Sequence, residues 1–434
     1  MTAQKISVIG LGFVGLSLAA VNAQKGFDTI GIDIDEKKLS SLKKGKPDFY
    51  EARLEEFLKN AIRKKKISFS NKINSIVNTD ITFVTVGTPT RGGKIDLSQV
   101  NRVVTEIAKA LSKKKQPHLV VVKSTVAPTT TNDVILPKLR HLRNVMLAVN
   151  PEFLREGTAV RDLLEPHLIV IGEQDKRAGN ALAKYYKAFY KKLPETLRTN
   201  FTTAELIKYS NNAFLATKIS FINSIANICQ NFPMADVTTI AYAIGKDPRI
   251  GPLFLNAGPG FGGSCLPKDL SALITLSKNL GDTNVLLRAV QQVNKTQPDK
   301  IINMLKQMKV LRKNKTISVL GLAFKKNTDD VRESVSIPLV AKLLDYDISV
   351  KVHDPMAAQN FAKLFQNITY CKTVKDCLKN SDCCIIMTDW DEYKKLQMSD
   401  FKNTMKTLNI IDSRRVFDPA KFSKANFRAT GLGA

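Results

Sequence analysis

Two α/β domains, each built on a doubly wound parallel sheet and joined by a long central helix, are what this 434-residue sequence predicts. Three observations carry that expectation. Short apolar runs of four to six residues alternate with helix-like segments in the first half, as strands buried on both faces do. From Thr203 to about Gln230 apolar residues recur near i, i+3, i+4 and i+7 without a proline, which makes one long helix and a natural bridge. From Lys315 a second strand, turn and helix pattern begins.

Taken in order, Ile6 to Ile9 is a short strand run, GLGFVG follows, and Leu16 to Gln24 has helical spacing. A second run, Thr29 to Ile32, ends at Asp33. The runs Ile81 to Val86, Leu119 to Val122, Val145 to Val149 and Leu168 to Ile171 read as buried parallel strands, with Leu54 to Ile62 and Val100 to Leu111 as helices among them. After the long helix a Gly- and Pro-rich loop spans Gly251 to Asp269, and a helical stretch runs from Leu270 to about Gln297. The second α/β unit carries apolar runs at Ile348 to Val352, Cys383 to Met387 and Leu408 to Ile411. The expected divisions are 1–200, 201–300 and 301–434. The two α/β units share a pattern without enough residue identity to be a repeat.

Hydrophobic residues make up 44% and charged residues 24% of the chain, globular proportions that exclude wholesale disorder. No stretch approaches the ~20 uninterrupted apolar residues that cross a bilayer, and the N-terminus runs directly into a strand, so a soluble cytoplasmic protein with no membrane association is expected. The six cysteines, Cys229, Cys265, Cys371, Cys377, Cys383 and Cys384, lack paired CxxC spacing, which argues against a disulfide framework and against a metal site. The 66 Lys and Arg against 39 Asp and Glu give +27, a field that attracts polyanions or an anionic substrate. The basic residues come in short runs, Arg63 to Lys66 and Lys113 to Lys115 among them, with no aromatic stacking motif beside them. That favours solvated helix faces over a nucleic-acid site.

Gly10, Gly12 and Gly15 form GxGxxG directly after a strand and at a helix start, where missing side chains let a pyrophosphate approach the backbone and the helix N-H groups. Asp33 ends the second strand 18 residues after Gly15, where a carboxylate accepts from an adenosine ribose and repels a 2′-phosphate. The expected cofactor is NAD, and the fold becomes two Rossmann-like domains of which only the first carries the full fingerprint. Cys265 sits in GFGGSCLPKD, with Lys268 and Asp269 three and four residues on, so that a cation can favour the thiolate and a carboxylate can manage protons. A thiol nucleophile beside an NAD site suits one chemistry in particular. An aldehyde held as a thiohemiacetal loses hydride, becomes a thioester, and is hydrolysed to an acid.

At this point the chain resembles the UDP-glucose/GDP-mannose dehydrogenase family. The matching segments are VIGLGFVGLSLA, VGTPTRGGKIDL, VVKSTVAPTTT, NPEFLREGTAVRDLLEPHLIVIGE, ELIKYSNNAFLATKISFINSIANIC, RIGPLFLNAGPGFGGSCLPKDL, LGLAFKKNTDDVRES, TDWDEY and IIDSRRVF, which span nearly the whole chain. The resemblance implies four-electron oxidation of a sugar C6 alcohol to a carboxylate with two NAD+ reduced per turnover, a nucleotide-sugar substrate, and a homodimer or larger homo-oligomer built on the long helix. Ser264, in GGSC followed by PKD, resembles the UDP-glucose and GDP-mannose branches rather than the N-acetyl-sugar branches, and RIGPLFLNAGPGFGG looks like the UDP-glucose branch.

Carried over residue by residue, Cys265 matches the family's nucleophile, and Lys208 and Asn212, at i, i+4, match residues that steady an oxyanion. Glu152 and Glu156 also recur at i, i+4, where two carboxylates need partners or a proton-transfer task; Glu152 matches a group that activates water, Glu156 one near the nicotinamide, and Asp269 and Thr125 a carboxylate and hydroxyl at the same water or the cofactor. Which carboxylate is the base stays open. Phe13, Val14, Lys38, Thr88, Lys268 and Arg332 join the glycines and Asp33 as cofactor contacts. Substrate contacts fall on Phe153, Leu154, Arg155, Arg249, Phe254, Leu255, Asn256, Ala257, Gly258, Gly262, Lys325 and Arg414, the arginines suiting phosphate through their two parallel donors.

Two departures matter. YEARL at Tyr50 to Leu54 stands where the family has EPGL, and STVAPTTT replaces STVPVGT, moving a proline and removing a glycine, which puts the shape of the loop after Thr125 in question. Rival readings are a GDP-mannose 6-dehydrogenase, a UDP-N-acetylhexosamine 6-dehydrogenase, a two-electron dehydrogenase with no need of Cys265, and a basic noncatalytic dinucleotide- or nucleic-acid-binding protein. NADH stoichiometry measured over a panel of nucleotide-sugars separates them.

Overall fold

The computed structural model describes residues 4–91 and 94–433, so Gly92 and Gly93 of the VGTPTRGGKIDL segment lie outside the described residues. The chain divides into two compact units, one ending at Asn211 and the other beginning at Asn212.

The first unit runs β1 (Lys5–Ile9), α1 (Phe13–Gln24), β2 (Asp28–Ile32), α2 (Glu36–Lys43), α3 (Leu54–Arg63), β3 (Ile67–Ser70), β4 (Ile81–Val84), the hairpin β5 (Thr90–Arg91) and β6 (Lys94–Ile95), α4 (Ser98–Leu111), β7 (His118–Val122), α5 (Leu136–Leu139), β8 (Val145–Val149), α6 (Ala159–Leu164), β9 (Ile169–Glu173), α7 (Lys176–Phe189), β10 (Thr196–Thr199) and the start of α8 (Phe201–Cys229). Its sheet has the order β10-β9-β8-β7-β4-β1-β2-β3. Alternate strand residues bury opposite ways. Ile6, Val8, Phe83, Leu119 and Val121 pack under Leu16, Leu58 and Leu182 of α1, α3 and α7. Ile9, Val84, Val120 and Val122 pack against Val100, Ile107 and Leu139 of α4 and α5. With both faces covered, β4 and β7 are buried throughout, which is why they read as mostly apolar runs, the buried Thr82 and His118 being hydrogen-bonded to each other.

One strand departs from the expectation. The Leu168 to Ile171 run forms β9, but β9 lies antiparallel to β8, with Val149 opposite Gly172, and β10 runs parallel to β9. An apolar run buried on two faces carries no direction. Here the connection contains only the six-residue α6, so the chain enters β9 beside the carboxyl end of β8 instead of crossing back over the sheet.

The second unit holds the rest of α8, then α9 (Val237–Gly245), α10 (Leu266–Asn279), α11 (Val285–Gln307), β11 (Thr316–Leu320), α12 (Ser336–Asp345), β12 (Ser349–His353), α13 (Ala358–Ala362), β13 (Thr369–Tyr370), α14 (Val374–Leu378), β14 (Cys383–Ile386), α15 (Met398–Lys402), β15 (Asn409–Asp412) and β16 (Asn426–Ala429). Its sheet, β13-β12-β11-β14-β15-β16, is parallel throughout. Ala213 and Ala216 of α8 pack with Phe261, Leu270, Leu287 and Val290, and Ile222, Ala226 and Cys229 pack with Val237 and Leu255. The helical stretch expected from Leu270 to Gln297 is two helices. Gly281 turns at φ 86° and Asn284, at φ 42°, accepts from the Leu287 amide to begin α11.

Candidate active site

In the first unit the glycine turn sits at the carboxyl end of β1, where the strand order reverses between β2 and β4 and ligands of such sheets bind. Gly10 turns at φ 92° where a Cβ would collide with Val86, and a side chain at Gly15 would collide with the Gly10 carbonyl and the Thr85 hydroxyl. A Cβ at Gly12 would meet nothing within 4 Å, and Gly12 opens α1 with no side-chain cap and no acidic residue in the first turn. That leaves an open approach to a helix N-terminus suited to phosphate. Asp33 follows β2 with Oδ2 accepting from the Leu11 amide at 2.7 Å and Oδ1 from the Asp35 amide at 3.1 Å, which fixes the carboxylate beside the turn. These residues fit a dinucleotide. Phe13 packs on Phe49, and Lys38 pairs with Asp48 at 3.3 Å.

The carboxyl ends of β7 and β8 bring together a second group. Thr88 is buried and its hydroxyl donates to the Thr125 carbonyl at 2.6 Å. Glu152 is buried just past β8, with Oε2 accepting from the Leu154 amide at 2.5 Å and Oε1 pairing with Lys208 Nζ at 3.2 Å. The Lys208 ammonium also lies 5.4 Å from the Phe153 ring centroid. The i, i+4 spacing of Glu152 and Glu156 does not place them on a helix, since no helix covers them; Glu152 is buried in an ion pair and Glu156 is half-buried. Arg155, expected at the substrate, is exposed and forked onto Asp162 through Nε at 3.1 Å and Nη2 at 2.6 Å.

Lys123, absent from the expected set, belongs with this group. It directly follows the buried strand β7, is 5% exposed, and donates to Asn150 Oδ1 at 2.8 Å, an oxygen that also accepts from the Tyr186 hydroxyl. Burial drives its ammonium down to about 8; Glu152 opposes that shift and Lys208 adds to it. The signal in the sequence was a lysine closing the apolar run LVVV.

In the second unit Cys265 is the N-cap residue of α10 and half-exposed, with Ser264 Oγ 3.5 Å from its sulfur. The Asp269 amide donates to the Cys265 carbonyl at 2.9 Å, so the carboxylate follows the thiol by one turn. Asp269 is 1% exposed, and its oxygens are shared between Lys268 Nζ at 2.6 Å and Asn212 Nδ2 at 2.6 Å. Lys268 therefore holds Asp269. Lys208 and Asn212 stand one turn apart on α8, each with a different carboxylate.

The loop before Cys265 carries Phe254 at φ 64°, buried Leu255, Ala257 and Gly258, and exposed Asn256. Gly258 donates its amide to Asn223 at 2.8 Å and would press a Cβ on Arg414. Arg414 itself donates to the carbonyls of Met387 at 2.8 Å and Phe324 at 3.1 Å. Gly262 packs against the Glu333 backbone, and Lys325 lies 5.6 Å from the Phe324 ring. Arg249 and Arg332 are each forked onto an aspartate two residues earlier, Asp247 and Asp330, at 2.6 Å with most of the side chain in solvent. Surface pairs of this kind contribute little to stability.

Comparison with known proteins agrees with this geometry. Residues 4–190 match the NAD binding domain, 202–296 the central domain and 318–419 the UDP binding domain of the UDP-glucose/GDP-mannose dehydrogenase family. The UDP-glucose 6-dehydrogenase AglM of Haloferax volcanii is 40% identical over 421 residues, 95% of this chain and 97% of that protein. The UDP-glucose 6-dehydrogenase of Rickettsia bellii is 39% identical over 437 residues, 99% of each chain. The solved structure of a UDP-glucose dehydrogenase from Pyrobaculum islandicum superposes with a TM-score of 0.91 at 35% identity, covering 100% of this chain and 98% of that one. With a dinucleotide turn in one unit, a thiol heading a helix in the other, and relatives matched along their full length, the chain belongs to the UDP-glucose/GDP-mannose dehydrogenase family.

Proposed function

We propose that the protein oxidises the C6 alcohol of UDP-glucose to the carboxylate of UDP-glucuronate, in two two-electron steps that reduce two NAD+. The observation that carries this reading is Cys265 at the head of α10 with Asp269 one turn behind it, buried and held by Lys268 and Asn212. A two-electron alcohol dehydrogenase has no use for that thiol.

The glycine turn Gly10 to Gly15, Asp33, Lys38, Thr88, Thr125, Glu156, Lys268 and Arg332 hold the cofactor, which when bound accepts hydride from C6. The partial positive charge at the start of α10 favours negative charge on the Cys265 sulfur. The sulfur adds to the C6 aldehyde left by the first oxidation, its proton passing to the new hydroxyl. Loss of hydride and of that hydroxyl proton gives a thioester, and water then breaks the carbon-sulfur bond, leaving the acid and the thiol. Lys208, desolvated and fixed by Glu152, stabilises the oxyanion at each stage with Asn212 one helical turn further along α8. Glu152 and Asp269 take up the protons released by oxidation and by the attacking water. Arg249, Arg414, Lys325, the Phe254 to Gly258 loop and Gly262 serve the nucleotide-sugar, as does the Glu152 to Glu156 stretch. In this reading 1–200 binds NAD, 201–300 carries the thiol loop and the self-association surface, and 301–434 binds the uridine diphosphate. Exposed Phe214, Phe221, Ile228 and Tyr242 on α8 and α9 support a homodimer or larger homo-oligomer.

The test is NADH production from UDP-glucose, UDP-N-acetylglucosamine, UDP-N-acetylmannosamine and GDP-mannose. UDP-glucose is expected to yield two NADH per sugar, and Cys265→Ser to end net oxidation while NAD+ still binds. Full turnover by Cys265→Ser would refute the covalent route.

A further inference from the structure

Glu205 lies on α8 one turn before Lys208 and is 3% exposed. Both of its oxygens are taken by the backbone that follows β7: Oε2 accepts from the Thr129 amide at 2.8 Å and Oε1 from the Thr131 amide at 2.9 Å. The segment they grip is not one a chain holds by itself. Thr129 is a β-branched residue at φ 75°, and Thr131 opens a π-helical turn to Ile135. At its other end the same segment is fixed at Thr125, whose carbonyl accepts from Thr88.

We infer that Glu205 is a positioning residue for the oxidation: its carboxylate locks the strained Thr129 to Thr131 turn onto α8 and so holds the loop bearing Thr125 in register with Lys208. The inference rests on the reading of Thr125 and Lys208 as active-site groups. Strain of this kind persists only where surroundings over-determine it, and among the described residues Glu205 is the side chain that supplies two bonds to the turn. Burial pushes its carboxyl up to about 6, and Asp133 on the π-helical turn adds to the rise, against the amide bonds that favour the anion. A protonated carboxyl presents a hydrogen where one of the amides needs an acceptor, so acid loosens the lock.

The wild-type protein is first assayed with UDP-glucose; without two NADH per sugar the active-site reading fails and the inference falls with it. Given that stoichiometry, Glu205→Gln, which keeps the shape and turns an N-H toward an amide, is expected to lower kcat about 10- to 100-fold. Its KM for UDP-glucose and its NAD+ affinity stay within about twofold, and the acid limb of kcat near pH 6 disappears. A purely structural role would lower stability without removing that limb. A second measurement needs no variant: amide hydrogen exchange of the wild-type segment 125–135, corrected for intrinsic pH dependence, is expected to quicken on going from about pH 7 to about pH 5 while β1 does not change. Unchanged kcat in Glu205→Gln, or exchange of that segment indifferent to pH, overturns the inference.

Discussion

The side-chain amide of Asn212 donates to Oδ2 of Asp269 across 2.6 Å, while Lys268 takes Oδ1 at the same distance. The carboxylate is buried, and its two oxygens are aimed by a helix-borne amide on one side and its own chain neighbour on the other. Asn212→Ala removes one donor from a buried charge, a loss of about 1–3 kcal/mol, and lets the carboxylate rotate. The expected outcome is a lower urea midpoint together with a kcat reduced about 100-fold. Asn212→Asp sets two carboxylates against each other and is expected to be worse on both counts.

Lys123 gives the protein a pH dependence of predictable sign. Its ammonium is pushed down to about 8 by burial, below the ordinary 10.5. Between those values the unfolded chain holds a proton that the native protein has released, so the native state gains stability as pH rises through the window, and the buried charge opposes folding below it. Lys123→Met abolishes this titration. Urea unfolding at about pH 7.5 and about pH 9.5 is expected to show the stability difference, wild type minus variant, moving in favour of the wild type at the higher pH. A difference indifferent to pH would mean that Lys123 stays charged throughout, held by Glu152.

The glycine turn, the long helix and the Cys265 loop were legible because each is a local pattern whose spacing is also its chemistry. Partnerships between charged side chains were not. That Lys268 would be spent on Asp269, or Arg155 on Asp162, depends on rotamers and packing rather than on spacing. The direction of β9 followed from a connection, and Lys123 and Glu205 passed as ordinary charged residues because their burial is decided by strands and loops distant in sequence. The two departures from the family pattern were visible as substitutions, but their outcome was not. The backbone keeps the left-handed turn at Arg53, φ 67°, and at Thr129, φ 75°, the positions of the family glycines.

Those two residues are expected to respond differently to glycine. The left-handed conformation costs roughly 1–2 kcal/mol for a residue with a Cβ, and glycine returns up to about 1 kcal/mol of that through the freedom it adds to the unfolded chain. Thr129 is exposed, and the bond that ties it to Glu205 comes from its backbone amide, which glycine retains, so Thr129→Gly is expected to gain about 0.5–1 kcal/mol in urea unfolding. Arg53 also lays its guanidinium 4.7 Å from the Phe57 ring centroid, a contact of about 0.5–1 kcal/mol. Losing it cancels the gain, and Arg53→Gly is expected to be near neutral.

The aspartates that follow the second strand of each sheet differ in how fully their oxygens are occupied. Asp33 accepts one amide on each oxygen, from Leu11 and Asp35, and retains lone pairs, which the proposed function assigns to a ribose. Asp354, at the equivalent place after β12, is surrounded by donors: the Leu322 and Ala323 amides and the Trp390 indole at 2.7, 3.1 and 3.0 Å on one oxygen, and the Met356 and Ala357 amides at 2.9 and 2.8 Å on the other. A carboxylate so occupied ties the turn after β11 to the sheet and has nothing left to offer a sugar. Asp33→Asn is therefore expected to lower kcat/KM for NAD+ about tenfold, roughly the 1.4 kcal/mol of one charge-assisted bond, and to narrow the preference over NADP+. Asp354→Asn turns an N-H toward donors and is expected to cost about 2 kcal/mol or more of stability, with KM for NAD+ unchanged. Equal effects of the two variants on NAD+ kinetics would mean that the second sheet takes part in cofactor binding after all.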